Sequence, residues 1–486
     1  MKSAQLPFDQ TSGAGSRAPD PHRAYLVLVL VLAVFGFATI AFAYWPGVMI
    51  DDARWQYQQS VDNAYEDWHP PLMAWIWHYL MRLEPGPGPM LLLQLSLYWV
   101  GVGLVAVWLC RRGKRRLGIV ATLVGWLPAP LALMGSVTKD CLMAGALSCA
   151  TGLLLWSKTA SRPAARGGLG GAAMIALLFG AALRANAFLA CVPLALAVLP
   201  RRFTCNAPRF ALTAIASAAI FFLIPGAIAA ALQAEDTDSQ LSLIIFDLGG
   251  ITEHSKISQF PDLGVADPVA VNHACYDPYQ WDSYSTWAPK PCPLGFAAFQ
   301  SLVDEGDVDP RMIWARAVAA HPIAYAEHRL AHFNRATWFL VPENPDPPAW
   351  TQSVPNPWNF EVRPNWLLSS VDAVANGASR TPLGWPIFWI AVAFAVLILC
   401  RAAELCGEVA AIAASAFCYG TGYLILGVAT GMRYHVWTIT GAALASVLAA
   451  AELALSGKRS GNRATALAAA TVGVPTLLTA FARLAF

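Results

Sequence analysis

Charge is the scarce ingredient of this 486-residue chain: only 13% of its residues are Asp, Glu, Lys or Arg, and the formal net charge is +2. Soluble domains carry about 25% charged residues, so a water-facing globule is excluded as the main body. The near balance of signs also argues against a nucleic-acid partner, and the charges are better read by where they fall. Metal-binding spacing is missing too. Ten cysteines occur, yet no Cys-x-x-Cys and no His-Glu-x-x-His, so a structural zinc or a zincin centre has no support. Most of the cysteines lie in apolar runs, where Cys behaves as a small hydrophobe. There is no solenoid-type repeat, no low-complexity tract beyond the N-terminal tail, and no cleavage-site pattern after the first apolar run.

Hydrophobic residues make up 57% of the chain, and they come in long runs at about 24–45, 89–110, 117–135, 140–157, 168–184, 186–200, 210–232, 383–400, 408–429, 434–453 and 464–483. Spanning a bilayer takes about 20 apolar residues as a helix. The expectation is therefore an all-α polytopic membrane protein of about eleven transmembrane helices, the shorter runs (168–184 and 186–200) tilted or interfacial. Four regions follow: a flexible cytoplasmic tail (1–23), an N-terminal membrane module (24–232), an external, α-containing domain between spans 7 and 8 (233–382), and C-terminal membrane helices (383–486). Within the external region, 312–340 has apolar residues at helical spacing and reads as an amphipathic helix along the interface. Its His321, His328 and His332 are expected at the surface.

Lys and Arg set the orientation. With the N-terminus cytoplasmic, the tail and the loops at 111–116, 157–166, 201–209, 401–408 and 456–463 hold 18 of the 32 basic residues. The other turns then face the periplasm or cell exterior of a plasma (bacterial inner) membrane. Cys275 and Cys292 share one polar stretch on that side, where a disulfide persists, although spacing leaves their pairing open.

Four outward turns place ionisable groups at membrane level, where they are costly and usually serve a function. They are Asp51-Asp52 with His69 further along the same loop, Lys139-Asp140, Arg184 with Asn186, and Arg433-Tyr434-His435. Each has a plainer reading. Asp51, Asp52 or Asp140 can cap a helix, Lys139, Arg184 and Arg433 can snorkel to headgroups, and His69 before two prolines can simply end a helix. Together they place carboxylates and cations on one face of the membrane. That combination suits group transfer from a lipid phosphate: a carboxylate takes a hydroxyl proton while Lys or Arg neutralises the departing phosphate.

Four features resemble the GT-C glycosyltransferases, in particular the protein O-mannosyltransferase and aminoarabinose-transferase (family 39-like) branch. An acidic pair, Asp51-Asp52, follows the first span, and Trp68-His69-Pro70-Pro71-Leu72 is similar to the branch's Pro-Pro-Leu motif. Asp140 sits in the next outward loop, and Arg433-Tyr434 opens a late span. The resemblance covers about 24–200 and returns near 312–340 and 431–440. It implies a GT-C-like fold, a polyprenyl-phosphate sugar donor and inverting transfer outside the cytoplasm. One aspartate of the first outward loop would be the base, with Asp51 favoured as nearer the span, and Asp140 would be the second acid. His69, Lys139, Arg184, Asn186, Arg433, Tyr434 and His435, from the same outward turns, are the candidate substrate-binding residues. The Asp-Asp pair replaces the Asp-Glu common in mannosyltransferases, and the external domain matches no module of the branch. No metal is assigned, since a neutral hydroxyl acceptor needs none. The sugar stays open, as does the acceptor: glycolipid, polysaccharide, teichoic-type polymer or protein. The competing classes are a transporter or lipid flippase, an O-antigen ligase or polymerase working without an aspartate base, and an envelope scaffold.

Overall fold

The computed structural model describes residues 21–306, 308–344, 347–457 and 460–485. Most of the 1–23 tail therefore lies outside the described residues, and the first helix begins at Pro21. Eight helices are long and apolar enough to cross a membrane: Arg23–Tyr44, Gly88–Arg111, Lys139–Thr159, Pro163–Leu183, Ala207–Ala231, Gly407–Leu426, Met432–Ser456 and Asn462–Ala485. Ala185–Val198 and Pro386–Ala402 are apolar but shorter. These ten account for ten of the eleven apolar runs. The eleventh, 117–135, splits into Arg115–Val124 and Pro128–Leu133. Pro128 forces the break, because it pushes Leu127 out of the helical region, to ψ 132°.

The chain is an all-helical, multi-pass membrane protein. Among the described residues there is no β-strand, only two isolated bridges, Val48 with Ser136 and Glu66 with Glu235. Bare apolar side chains such as Val34, Phe35, Leu212, Ile215, Leu477 and Phe481 cover the outer helices. An apolar surface of that extent is tolerated in lipid and not in water. At the centre, Lys139–Thr159 packs on Gly88–Arg111 and on Pro163–Leu183. Backbone meets backbone at Gly101, where any Cβ would strike the main chain of Ser148 and Cys149. Small residues of this kind replace the hydrophobic effect as the packing device between helices in lipid.

Residues 233–382 divide by what they pack against. Ile245, Phe246, Trp281, Tyr284, Leu294 and Phe299 form a second core, external to the bundle. Trp338, Val341, Val362, Leu368, Val371 and Ala375 belong instead to the membrane core. There the Trp366–Ser379 helix lies against Arg23–Tyr44 and Pro128–Leu133. The continuous amphipathic helix expected over 312–340 is two helices, Pro310–Ala320 and Pro322–Ala336, broken at His321 by the following proline.

His328 and His332 are not surface residues, contrary to expectation: both are fully buried. The second helix is covered on two sides, by Leu241–Ser255 and by Gly407–Leu426. His328 Nε2 lies 3.2 Å from Asp247, which also pairs with Arg329 and accepts a 2.7 Å hydrogen bond from Trp314 Nε1. Arg329 donates to the carbonyl of Gly427 at 2.6 Å, tying the external domain to the turn that precedes Arg433. The buried carboxylate is offset by the Arg329 charge and the Trp314 N–H, while Asp247 Oδ1 has no directed hydrogen bond of its own.

Burial pushes the His332 imidazole down to about 3, against the upward pull of the Pro278 carbonyl, and burial also lowers His328. Between pH 6.5 and about 3 the unfolded chain therefore binds protons that the folded His332 refuses. Stability is lost as pH falls below that unfolded value, by roughly 1.4 kcal/mol per pH unit for each such histidine. Thermal unfolding of the detergent-solubilised protein is expected to shift down from pH 7 to pH 5. A midpoint unchanged over that range counts against the buried neutral histidines.

Candidate active site

The chain after the first span is not free. Val48 N donates to Gly135 O at 3.0 Å and Val137 N returns a bond to Val48 O at 2.9 Å, so the first two turns at this end form a short parallel bridge. Gln94, buried on Gly88–Arg111, donates to Met134 O and Ser136 O at 2.8 and 2.9 Å and fixes the second turn from behind. Replacing Gln94 with Leu leaves two carbonyls unpaired and is expected to cost about 1–3 kcal/mol. A thermal midpoint equal to wild type counts against that role.

The bridge sets Asp52 opposite Lys139. Neither carboxylate site is a side-chain cap. The residue before the Asp51–Asp62 helix is Ile50, with no side-chain cap, and Thr138 rather than Asp140 caps the Lys139–Thr159 helix, accepting from Cys141 N. Asp51 and Asp52 then part company. Asp51 is 68% exposed and pairs only with Arg54, one turn on. Asp52 is 21% exposed and turns inward, its Oδ2 lying 3.1 Å from Arg433 Nη1, 3.3 Å from Lys139 Nζ and 3.7 Å from His69 Nε2. Helix geometry separates the two aspartates: consecutive positions point about 100° apart, and Asp52 rather than Asp51 faces the bundle.

His69 arrives from the loop before the Leu72–Leu80 helix, with Pro71 at its N-cap. Asp67 anchors that loop by accepting from Thr237 N and Oγ1 at 2.9 and 2.8 Å. His69 Nδ1 is 2.5 Å from Lys139 Nζ. Burial and the adjacent Lys139 push the His69 imidazole down to about 3, so it stays neutral at working pH and accepts a hydrogen bond from the ammonium. Asp52 is raised by burial, but Arg433 and Lys139 together outweigh that and hold its carboxyl well below the usual range.

Arg184 pairs with the buried Asp140 and donates to Asn186 Oδ1 at 3.1 Å. Arg433 links the two carboxylates, its Nε 4.0 Å from Asp140 Oδ2. Tyr434 is held between the guanidiniums, with Arg184 and Arg433 4.8 and 4.9 Å from its ring centroid, and it stacks on Tyr423 at 5.6 Å. The fold therefore gathers Asp52, His69, Lys139, Asp140, Arg184, Asn186, Arg433 and Tyr434 into one cluster, from residues far apart in sequence. It leaves out two of the expected residues. Asp51 is at the surface, and His435 turns away to the Ala336 carbonyl at 3.2 Å.

Two residues join without having been singled out by sequence. Trp350 lies 5.7 Å from the Arg433 guanidinium, and Asp282 is close enough to Asp52 and Arg433 for both to act on its charge. No apolar period marks either. The flanking Cys275 and Cys292 were the one available signal for Asp282, and they are disulfide-bonded. Among the described residues no three of His, Cys, Asp and Glu gather as a metal site. An open cleft of about 590 Å³ between Pro386–Ala402 and Asn462–Ala485 is remote from the cluster, lined by Leu397, Arg401, Arg463 and Leu467 at the basic end of the bundle.

Arg433 Nη1 and Asp140 Oδ2 are buried atoms with no directed hydrogen bond among the described residues, despite their charged neighbours. The cluster is thus strongly charged, closely packed and incompletely satisfied.

No family model and no curated protein matches the chain. Among solved structures it is similar to ArnT from Cupriavidus metallidurans bound to undecaprenyl phosphate, at 15% identity over 89% of this chain and 78% of that one, with a TM-score of 0.34. The apo form of the same protein gives 14% identity, the same coverage and a TM-score of 0.31. Both likenesses are distant, and the functional reading stands on the site's own residues. The chain is a multi-pass, all-helical membrane protein, and among the described residues the cluster around Asp52 and Asp140 lies where the second core meets the bundle.

Proposed function

We propose that the protein is a membrane glycosyltransferase. It moves a sugar from a polyprenyl-phosphate donor to a hydroxyl of a cell-envelope acceptor, with inversion, at the outer face of the membrane. The supporting observation is the convergence of three basic side chains, one of them with an unsatisfied N–H. Lys139, Arg184 and Arg433 meet Asp52 and Asp140, while His69 is neutral and Asp282 acts from the edge of the cluster. Arg433 Nη1 has no directed hydrogen bond, so it can donate one to a further anion. A phosphodiester on a lipid chain is such an anion, and its tail lies along the apolar helix surfaces.

In this reading the acceptor oxygen attacks the anomeric carbon from the side opposite the phosphate. The bond from that carbon to the phosphate oxygen breaks, the electron pair leaves with the phosphate, and Lys139 and Arg433 stabilise the charge. Asp52 takes the hydroxyl proton. Its basicity is suppressed while both cations hold it, and a donor phosphate that shares them restores it. Donor binding and base activation are thereby coupled. The sidedness rests on the distribution of Lys and Arg.

The test is transfer of label from radiolabelled polyprenyl-phosphate sugars to an envelope extract by purified protein in detergent, where no gradient exists. Labelled acceptor is the expected result. Absence of transfer over a broad donor panel, together with movement of the lipid across reconstituted vesicles, overturns it in favour of a flippase.

A further inference from the structure

The Cys275–Cys292 disulfide closes a loop that reaches from the external domain back to the charge cluster. Cys292 N donates to Ser283 O at 3.0 Å, drawing the loop tight, and Trp281 N donates to Val428 O at 2.9 Å, docking it on the turn before Arg433. Trp281 itself is buried, its ring 5.8 Å from that of Trp68, the neighbour of His69. The loop is thus anchored to two of the three chain segments that deliver side chains to Asp52, those carrying His69 and Arg433.

Two of its side chains present groups that packing leaves open. Asp282 begins a short 3-10 turn, where its backbone carbonyl accepts from Ser285, but its carboxylate makes no hydrogen bond or ion pair among the described residues. Trp287 is 54% exposed, standing edge-on to Trp68 and Trp281 with centroids 5.3 Å away from each. A large aromatic left open beside a buried reaction centre offers a flat apolar face of the kind that covers the C–H face of a pyranose ring. A carboxylate next to it accepts hydrogen bonds from ring hydroxyls. Lipid anchoring explains neither, since the loop belongs to the external core rather than to the bundle.

We propose that the 275–292 loop is the acceptor subsite, that it takes a carbohydrate ring on Trp287, and that Asp282 binds the hydroxyls of that ring beside Asp52. This deepens the transferase reading and rests on it. Burial and the charge of Asp52 both raise the Asp282 carboxyl above its ordinary range, which strengthens it as a hydrogen-bond acceptor. The disulfide holds the loop in place before the acceptor arrives, so less ordering is left to binding. The acceptor is accordingly a glycan or the glycan portion of a glycolipid, rather than an unmodified protein side chain or a phosphate group, which Asp282 would repel.

The experiment compares Asp282→Asn, Asp282→Ala and Trp287→Ala with wild type. Asp282 makes no hydrogen bond or ion pair among the described residues, whereas Trp287→Ala removes edge-on contacts with Trp68 and Trp281, so the thermal midpoint of each variant is measured beside wild type and Trp287→Phe is included to keep an aromatic face. The KM for a glycan acceptor is expected to rise about tenfold or more with each of the first three, the loss of one charged hydrogen bond or one stacking face. For Trp287→Ala, the KM for the donor and the slow hydrolysis of donor by water are expected to stay within about twofold of wild type; the Asp282 variants also remove a charge beside Arg433, and there the acceptor KM is expected to change more than the donor KM. Unchanged acceptor KM, or donor KM rising in step with it, overturns the subsite. Binding of envelope-derived oligosaccharides without donor, followed by tryptophan fluorescence, separates the two readings. Wild type that transfers nothing yet binds the oligosaccharides, with binding lost in Trp287→Ala, keeps the subsite and removes the transferase. Wild type that transfers but shows no Trp287-dependent binding removes the subsite alone.

Discussion

Asp52→Asn is expected to lower sugar transfer about a thousandfold, and Asp51→Asn to leave it within about twofold. The two residues are adjacent and chemically identical, so the contrast isolates position. Asp51 is exposed beside Arg54, while Asp52 meets Lys139, His69 and Arg433. Asparagine keeps the shape of Asp52 and removes its capacity to take a proton. It also removes the anion that competes with a donor phosphate for Lys139 and Arg433. Binding of a polyprenyl-phosphate donor, on the proposed function, is therefore expected to hold or tighten in Asp52→Asn while turnover falls. That split between binding and rate distinguishes a lost base from a collapsed site. An inactive Asp51→Asn protein beside an active Asp52→Asn protein would reverse the assignment.

The largest effect on stability is expected at Asp140. Its side chain is 1% exposed, and it holds the buried Arg184 guanidinium. Asp140→Ala strands that cation among Tyr423, Tyr434 and Asn186, and removing one member of a buried pair costs about 3–5 kcal/mol. Removing both is cheaper. The double variant Asp140→Leu with Arg184→Met is expected to recover most of the lost thermal midpoint in detergent while remaining inactive, because the cluster has lost one of its three cations. Two single-variant losses that simply add in the double variant would sink the pairing argument.

The sequence reveals the helices and the end of the bundle that carries the chemistry, because both depend on local signals. Run length marks the spans, and the arginine-rich turns at 111–116 and 201–209 fall opposite Asp52 and Lys139. What it cannot show is direction around a helix axis for a lone residue. Asp51 and Asp52 have the same neighbours in sequence, and only the Val48 to Gly135 bridge decides which one turns inward. His435 shows the same limit, being one position past Arg433 and Tyr434 yet turned toward Ala336. His328 and His332 looked polar and therefore exposed, yet tertiary packing buried them against Asp247 and the Pro278 carbonyl. Asp282 was out of reach for another reason: a loop joined to the site by a disulfide and one hydrogen bond at Trp281 has no periodicity to read.

The order in which the charges occur along the chain also bears on how the protein is made. Asp52 meets Lys139 after 87 residues, and Asp140 meets Arg184 after only 44. During synthesis from the N-terminus, each carboxylate thus gains a counter-ion within the first five apolar runs, before the external domain is translated. Arg433 comes last, with the penultimate span. Until then Lys139 and Arg184 each already have a carboxylate partner, and the final cation completes the cluster only once the polypeptide is nearly finished.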